Sequence, residues 1–250
     1  MPQLIAETAD ILVIDKPGGL IVHSDGRTKE PSLAEWLIEG YPALAGVGEP
    51  WISPQGESVP IAGLVHRLDR STSGVVIAAR TPEMYAYLKN EFKERRVEKT
   101  YLAYVQGHME APEGKIVAEI MRSSEVPRRW YARPCEETDK RAAITDWKLL
   151  KRLEGASYLE VRPRTGRTHQ IRVHLASIGH PIIGDPLYAG DRASSEEVLE
   201  PEGFTGDRAS SEEILSAPAR MYLHAASITL TLPSGERRTF EAPLPPDFPR

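Results

Sequence analysis

Two short segments hold most of the side chains that could do chemistry. In His66-Arg-Leu-Asp-Arg-Ser-Thr-Ser-Gly74 one carboxylate, Asp69, stands between Arg67 and Arg70 among small hydroxyl residues, and an apolar run over 75–79 follows directly. Nearby cations favour the charged form of a carboxylate, so Asp69 is expected to be ionised at neutral pH and available for catalysis. Ordinary surface ion pairs have the same pattern. The second segment, Arg162-Pro-Arg-Thr-Gly-Arg-Thr-His-Gln-Ile-Arg-Val-His174, packs Arg162, Arg164, Arg167 and Arg172 into eleven residues around a Thr-Gly turn that leads into a helix. Guanidinium groups at a turn and a helix N-terminus suit phosphate contacts.

Other catalytic templates fit poorly. His66, Asp69 and Ser73 are triad residue types, but three members crowded on one short segment rarely reach triad geometry. The sequence contains no G-x-S-x-G elbow, no phosphate loop of the G-x-x-x-x-G-K-[ST] type and no G-x-G-x-x-G, so nucleotide-driven chemistry and dinucleotide redox are not expected. No metal site is expected either. His169 and His174 lack a cysteine or an acidic partner at ligand spacing and read as polar helix residues or hydrogen bonders to backbone. The single cysteine, Cys135, excludes an internal disulfide.

The elements that must position these groups read as mixed α and β. Residues 11–15 form an apolar strand closed by the turn Lys16-Pro-Gly-Gly19, and 20–23 resume extended. Ser32 with Glu35 makes a capping box for a helix over 33–38. Residues 46–60 read as loop and 75–79 as a buried strand. Pro82 opens an amphipathic helix to about Arg96. Strands follow at 101–105, 144–150 and 158–161. A last helix is predicted over 168–178, with Ile171, His174, Leu175 and Ile178 on one face and Gly179 past its end. Gly190-Asp-Arg-Ala-Ser-Ser-Glu-Glu-Val-Leu199 recurs as Gly206-Asp-Arg-Ala-Ser-Ser-Glu-Glu-Ile-Leu215. Each copy carries a capping box, and the 190–215 duplication reads as a tandem insertion in a surface loop.

Composition sets the outer limits. With 250 residues, 40% hydrophobic and 27% charged, the chain is in the globular range. No apolar run approaches the roughly 18 residues of a membrane span, and the N-terminus lacks the pattern of a secretory signal. A protein of the reducing cytoplasm is expected. The net charge of −5 is unevenly spread: −6 over residues 1–65, +7 over 66–172 and −6 over 173–250. A basic middle between acidic flanks suits a protein that faces a polyanion on one side.

Taken in order, four segments resemble the RluA-type pseudouridine synthases. They are Lys16-Pro-Gly-Gly-Leu20 with Val22-His23, then residues 66–74, then Lys99-Thr-Tyr-Leu-Ala103 with Gly107, and then Thr165 to Leu175 continued by Gly179-His-Pro181 and Gly184-Asp185. Leu223-His-Ala225 also matches, so the resemblance covers roughly residues 8 to 245. It implies isomerisation of uridine in structured RNA, ribosomal or transfer. In it Asp69 is the essential aspartate, Arg172 the cation that pairs with it, and Tyr101 the ring that stacks on the target base. Arg67 fills the gap left by the flipped nucleotide, and Arg70, Arg164, Arg167 and His169 are expected to contact RNA. Flipping a nucleotide out is costly, and an inserted cation with an aromatic platform offsets part of that cost. No cofactor, metal or nucleotide is called for, because no redox step occurs and no group passes to another molecule.

The fold implied is α+β: a central, largely antiparallel mixed sheet flanked by helices, with a cleft lined by 66–74, 99–103 and 165–173. Residues 1–250 are expected to form one catalytic domain, acting as a monomer without a membrane partner and without a separate RNA-binding domain ahead of it. Two other readings are a non-catalytic RNA-binding or ribosome-assembly module of the same fold, and a glycosidase-like hydrolase. Asp69, Tyr101 and Arg172 argue against the first, and the second wants an opposing carboxylate that no matching segment supplies.

Overall fold

The computed structural model describes residues 1–24, 30–53, 56–189 and 220–249. The duplicated 190–215 segment therefore lies outside the described residues. In chain order the strands are β1 (Gln3–Glu7), β2 (Ile11–Lys16), β3 (Trp51–Ile52), β4 (Ser58–Val59), β5 (Ser73–Ala79), β6 (Glu98–Gln106), β7 (Glu113–Arg122), β8 (Trp130–Pro134), β9 (Ala142–Leu153), β10 (Ala156–Pro163), β11 (Leu223–Thr231) and β12 (Arg237–Glu241). The helices among the described residues are α1 (Leu33–Gly40), α2 (Pro82–Lys93) and α3 (Gln170–Ser177). The chain divides into two compact units, Met1–Lys99 with His224–Arg250, and Thr100–Leu223. The architecture is α+β with largely antiparallel strand pairing, as the family resemblance implies.

The first unit carries strands in the order β1-β2-β5-β11, with β12 paired to β11. Every residue of β5 is buried, which explains its unbroken Val-Val-Ile-Ala-Ala run: a strand covered on both faces has no polar side to alternate with. It pairs antiparallel with β2, Ile11 facing Ala79 and Lys16 facing Gly74. On its other side it pairs parallel with β11, His224 against Ser73 and Ala225 against Gly74. Gly74 is required there. Its φ is +113°, and a Cβ would fall 2.1 Å from the Ala225 carbonyl oxygen.

Local signals account for most boundaries and for the departures from them. The Ser32 hydroxyl accepts from the Glu35 N–H while the Glu35 carboxylate accepts from the Ser32 N–H, closing the capping box. Residues 20–23 were expected as extended strand but make only a single bridge, Ile21 to Ser32. The Ile21 and Val22 carbonyls instead accept the N–H groups of Leu33 and Ala34, donors that the first turn of α1 leaves open. The span 46–60, expected as loop, includes the two-stranded β3–β4 hairpin. Helix α2 starts at Pro82 as expected, under an N-cap from Thr81. It stops at Lys93 rather than near Arg96 because Arg95 turns left-handed at φ 59° and Arg96 folds back onto Glu91.

In the second unit the strand order is β6-β10-β9-β7-β8, with every neighbour antiparallel. Its apolar cluster joins Ala103, Val105, Trp147, Leu159 and Val161 of the strands to Ile171 and Leu175 of α3. The sequence predicts α3 from residue 168, but it begins at Gln170 because His169 sits left-handed at φ 54°, ψ 19°. Ile171, His174 and Leu175 are buried as part of an enclosure that takes in seven of its eight residues, and Ile178 caps its end. No helix among the described residues is long and apolar enough to cross a membrane.

A methyl group at position 74 would meet the β11 backbone and a φ that L side chains rarely adopt. Gly74→Ala is expected to destabilise the protein by at least ~2 kcal/mol, read as a lowered urea midpoint.

Candidate functional site

Residues 66–72 of the first unit alternate between core and solvent. Arg67 is exposed, Leu68 buried, Asp69 half-buried and Arg70 exposed. The loop is fastened from its backbone. The Thr72 N–H donates to the Asp69 carbonyl at 3.1 Å, and the Arg70 carbonyl accepts the Gly19 N–H at 2.8 Å. The same Arg70 carbonyl accepts from Nζ of Lys16 at 3.2 Å. Lys16 is 0% exposed, and its ammonium also donates to the carbonyls of Pro17 and Leu20 at 2.9 and 2.8 Å. A buried ammonium ringed by carbonyl dipoles thus ties the Lys16–Leu20 turn to the segment carrying Asp69. The Arg70 side chain turns outward and pairs with Glu30.

The triad-type residues around Asp69 serve other partners. Nε2 of His66 accepts the Ile77 N–H at 3.0 Å, and its ring stacks on Phe92 at 4.7 Å. Burial, with the charge of Lys99 adding to it, pushes the His66 pKa down to about 3. The imidazole is therefore neutral at physiological pH and serves as a structural acceptor. The Ser73 hydroxyl lies 2.8 Å from Nδ1 of His224 instead.

In the second unit the arginine-rich segment is anchored by its uncharged members. The Thr165 hydroxyl donates to Oε1 of Gln170 at 2.7 Å and accepts the Ile144 N–H at 3.0 Å. The Gln170 amide donates to the Ile144 carbonyl and to the Thr145 hydroxyl, both at 3.0 Å, while its oxygen also accepts the Arg167 N–H at 3.0 Å. With Thr165 and Gln170 filling the inner side, Arg162, Arg164 and Arg167 are left exposed. Arg162 pairs with Glu160, and Arg164 with Asp146. Among the described residues Arg67 and Arg167 carry no ion pair. The exposed guanidiniums are thus partly balanced by local acids, more than block charges suggest.

Arg172 has a different setting. It is 4% exposed inside α3 and forms a two-pronged pair with Asp185, Nε to Oδ2 at 2.7 Å and Nη2 to Oδ1 at 2.8 Å. Oδ1 of Asp185 also accepts the N–H groups of Leu187 and Tyr188 at 2.9 and 3.2 Å. The Arg172 guanidinium carbon lies 5.1 Å from the centre of the Tyr188 ring. Asp185 as a partner was not foreseen, although it is the sole carboxylate among residues 173–189, and a buried arginine requires one nearby. His169 reaches the Tyr188 hydroxyl through Nδ1 at 3.0 Å, and His174 reaches the Thr145 hydroxyl at 2.9 Å. His174 is thus a polar residue of α3, one of the two roles expected of the histidines, while His169 stands at the N-cap of the helix. Tyr101 is half-buried on β6, opposite Val161 of β10, and packs on the apolar cluster. So Arg67, Asp69 and Arg70 share one loop of the first unit, while Tyr101, Arg164, Arg167, His169 and Arg172 lie in the second.

Comparison with known proteins follows the same residues. Residues 10–177 match the family model described as RNA pseudouridylate synthase. The chain is 32% identical over 248 residues to the ribosomal large subunit pseudouridine synthase D of Zymomonas mobilis subsp. mobilis, covering 98% of this chain and 70% of that protein. It is 37% identical over 254 residues to the protein of the same name from Xanthomonas campestris pv. campestris, covering 99% and 67%. Among solved structures, human RNA Pseudouridylate Synthase Domain Containing 1 superposes with a TM-score of 0.67 at 25% identity, over 97% of this chain and 83% of that one.

Two measurements test this arrangement. Asp185→Asn strands a guanidinium that is 95% enclosed or more, and should cost roughly 3 kcal/mol or more in urea denaturation. His174 is 0% exposed, and burial pushes its pKa down to about 4. Below its ordinary pKa of about 6.5 the unfolded chain takes up a proton that the folded chain refuses until about pH 4. Stability should therefore fall as pH drops through that window, by on the order of 3 kcal/mol from this residue, with His66 adding to it. His174→Asn should flatten the fall in denaturation midpoint between about pH 6.5 and 4 while lowering stability above it.

Proposed function

The chain belongs to the RNA pseudouridylate synthase family, and on that premise we propose that it isomerises particular uridines to pseudouridine in structured RNA. The observation that carries the reading is the family match over residues 10–177, which spans Asp69, Tyr101 and Arg172 together. The relatives' names, ribosomal large subunit pseudouridine synthase, favour ribosomal RNA as the substrate over transfer RNA. In this reading residues 1–250 act as one catalytic domain, a cytoplasmic monomer that works without metal, nucleotide or other cofactor.

The reaction breaks the N1–C1′ bond, turns the detached uracil, and joins C1′ to C5. The C5 proton is lost to solvent and N1 regains one, so substrate and product are isomers. Asp69 is assigned the attack on the ribose or its deprotonation, which calls for an ionised carboxylate held in place. The fastened backbone of its loop supports that role. Tyr101 is assigned the platform for the flipped base, and a ring fixed on a strand by apolar packing suits stacking. Arg172 is assigned as the cation for Asp69, a role consistent with a guanidinium whose position is already fixed by Asp185. Arg67 is assigned the gap left by the flipped nucleotide. Arg70, Arg164, Arg167 and His169 are assigned to the RNA backbone, where binding should weaken steeply with salt as counterions are released.

The test is tritium release from RNA labelled at uracil C5, run without added metal or nucleotide. Wild type should release label, and Asp69→Asn should release none while keeping the fold and RNA binding. Tyr101→Phe should retain more activity, because the ring survives. Equal release by wild type and Asp69→Asn, or a strict need for metal, would refute the assignment. RNA bound but never isomerised by wild type would favour the non-catalytic module.

A further inference from the structure

His169 is held in a way that its place at the start of α3 does not explain. Its backbone is left-handed at φ 54°, ψ 19°, and its side chain makes no capping hydrogen bond to the helix. Histidine enters that region only at some cost, and such cost at a functional segment suggests a side chain being aimed. Nδ1 lies 3.0 Å from the Tyr188 hydroxyl, and the two rings meet edge to face at 82°. The Tyr188 hydroxyl already accepts the Trp130 N–H at 3.1 Å.

Hydrogen-bond bookkeeping then assigns the proton. Tyr188 is 0% exposed, and a buried hydroxyl proton requires an acceptor. Since the oxygen accepts from Trp130, its own proton points to Nδ1 of His169, which must be bare to receive it. A neutral imidazole with a bare Nδ1 carries its proton on Nε2. Burial also pushes the Tyr188 pKa up, so the phenol keeps the proton it donates. The Tyr188 ring cannot swing away, because the guanidinium carbons of Arg172 and Arg129 lie 5.1 and 5.6 Å from its centre and its N–H is bound by Asp185.

We propose that Tyr188 is a positioning residue for the RNA reaction: its hydroxyl locks His169 into the Nε2–H tautomer and so makes Nε2 a hydrogen-bond donor of fixed direction toward an RNA oxygen. The role of that donor rests on the reading of the protein as an RNA uridine isomerase; the tautomer does not. The fork of Asp185 is then shared between the two residues, its oxygens holding the Arg172 guanidinium and the Tyr188 backbone at once.

The experiment has two arms. In histidine-labelled protein, two-bond proton–nitrogen spectra, assigned with His169→Ala, should show Nδ1 of His169 unprotonated in wild type and a shift to mixed tautomers in Tyr188→Phe. In the tritium assay Tyr188→Phe should raise KM for RNA by about 3- to 10-fold with kcat held within about twofold, the size of one neutral hydrogen bond. In a His169→Ala background the same substitution should change KM by less than about 1.5-fold, because a residue acting only through its neighbour shows full coupling. A protonated Nδ1 in wild type, or an undiminished Tyr188→Phe effect without His169, overturns the proposal. If Tyr188→Phe does not fold, the wild-type spectrum alone decides the tautomer. If wild type releases no tritium, the uridine reading falls while the tautomer is still judged by the spectrum.

Discussion

A guanidinium taken out of water has to be met by a carboxylate, and the meeting of Arg172 with Asp185 organises the second unit. An arginine in the middle of a helix would normally turn a face to solvent, yet seven of the eight residues of α3 are buried. The helix can be enclosed because most of its polar groups are met: Asp185 for Arg172, Thr165 and Thr145 for Gln170, and Thr145 again for Nδ1 of His174. Removing one partner from such a set leaves a charge or dipole unanswered in a low-dielectric interior. The exposed arginines depend on the same network, since Thr165 and Gln170 hold the inner side of the turn from which Arg164 and Arg167 project.

The first unit solves a related problem differently. Lys16 is fully enclosed, and carbonyl oxygens of Pro17, Leu20 and Arg70 surround its ammonium. One of those oxygens belongs to the residue after Asp69, so the lysine fixes the path of the loop that carries the carboxylate. A group meant to act on a ribose benefits from a scaffold already in place before the substrate arrives.

The sequence disclosed the parts of this protein that local physics determines. β5 was legible because an unbroken apolar run has few other uses, and α1 because Ser32 and Glu35 spell a capping box. β7 and β8 were not anticipated: Glu113-Gly-Lys-Ile-Val-Ala-Glu-Ile-Met-Arg122 mixes charge with apolar residues irregularly, and its pairing is decided by β9 rather than by its own pattern. β11 finds its place against β5, far earlier in the chain, whereas β1 and β12 pair with their chain neighbours β2 and β11. At the site, residue types marked out the Asp69 loop and the arginine-rich turn. The geometry of Arg172 was hidden, because nothing in a string of arginines tells which one turns inward. Asp185 stood in a quoted motif without a function, and Lys16 read as part of a turn. Tyr188 was wholly silent, since a hydroxyl that fixes a neighbouring ring leaves no trace in spacing.

The parallel pairing of β5 with β11 bears on the order in which the chain becomes structured as it is made. His224 lies 151 residues after the Ser73 that it hydrogen-bonds, and the first unit is assembled from residues 1–99 and 224–250. During synthesis β2 and β5 emerge before β11, with the Ser73–Gly74 end of one β5 edge still lacking its strand. Residues 100–223 then form a continuous unit from near neighbours, β9 with β10 and β7 with β9, and contacts of short sequence separation close fastest. The unit that begins first is thus finished last. In the interval the Ser73–Gly74 end of that edge is open to wrong pairing with another chain, while residues 63–66 already hold Ile77 to Ala79. Slow translation anywhere between β5 and β11, the arginine-rich turn included, lengthens that interval and lowers the yield of folded protein.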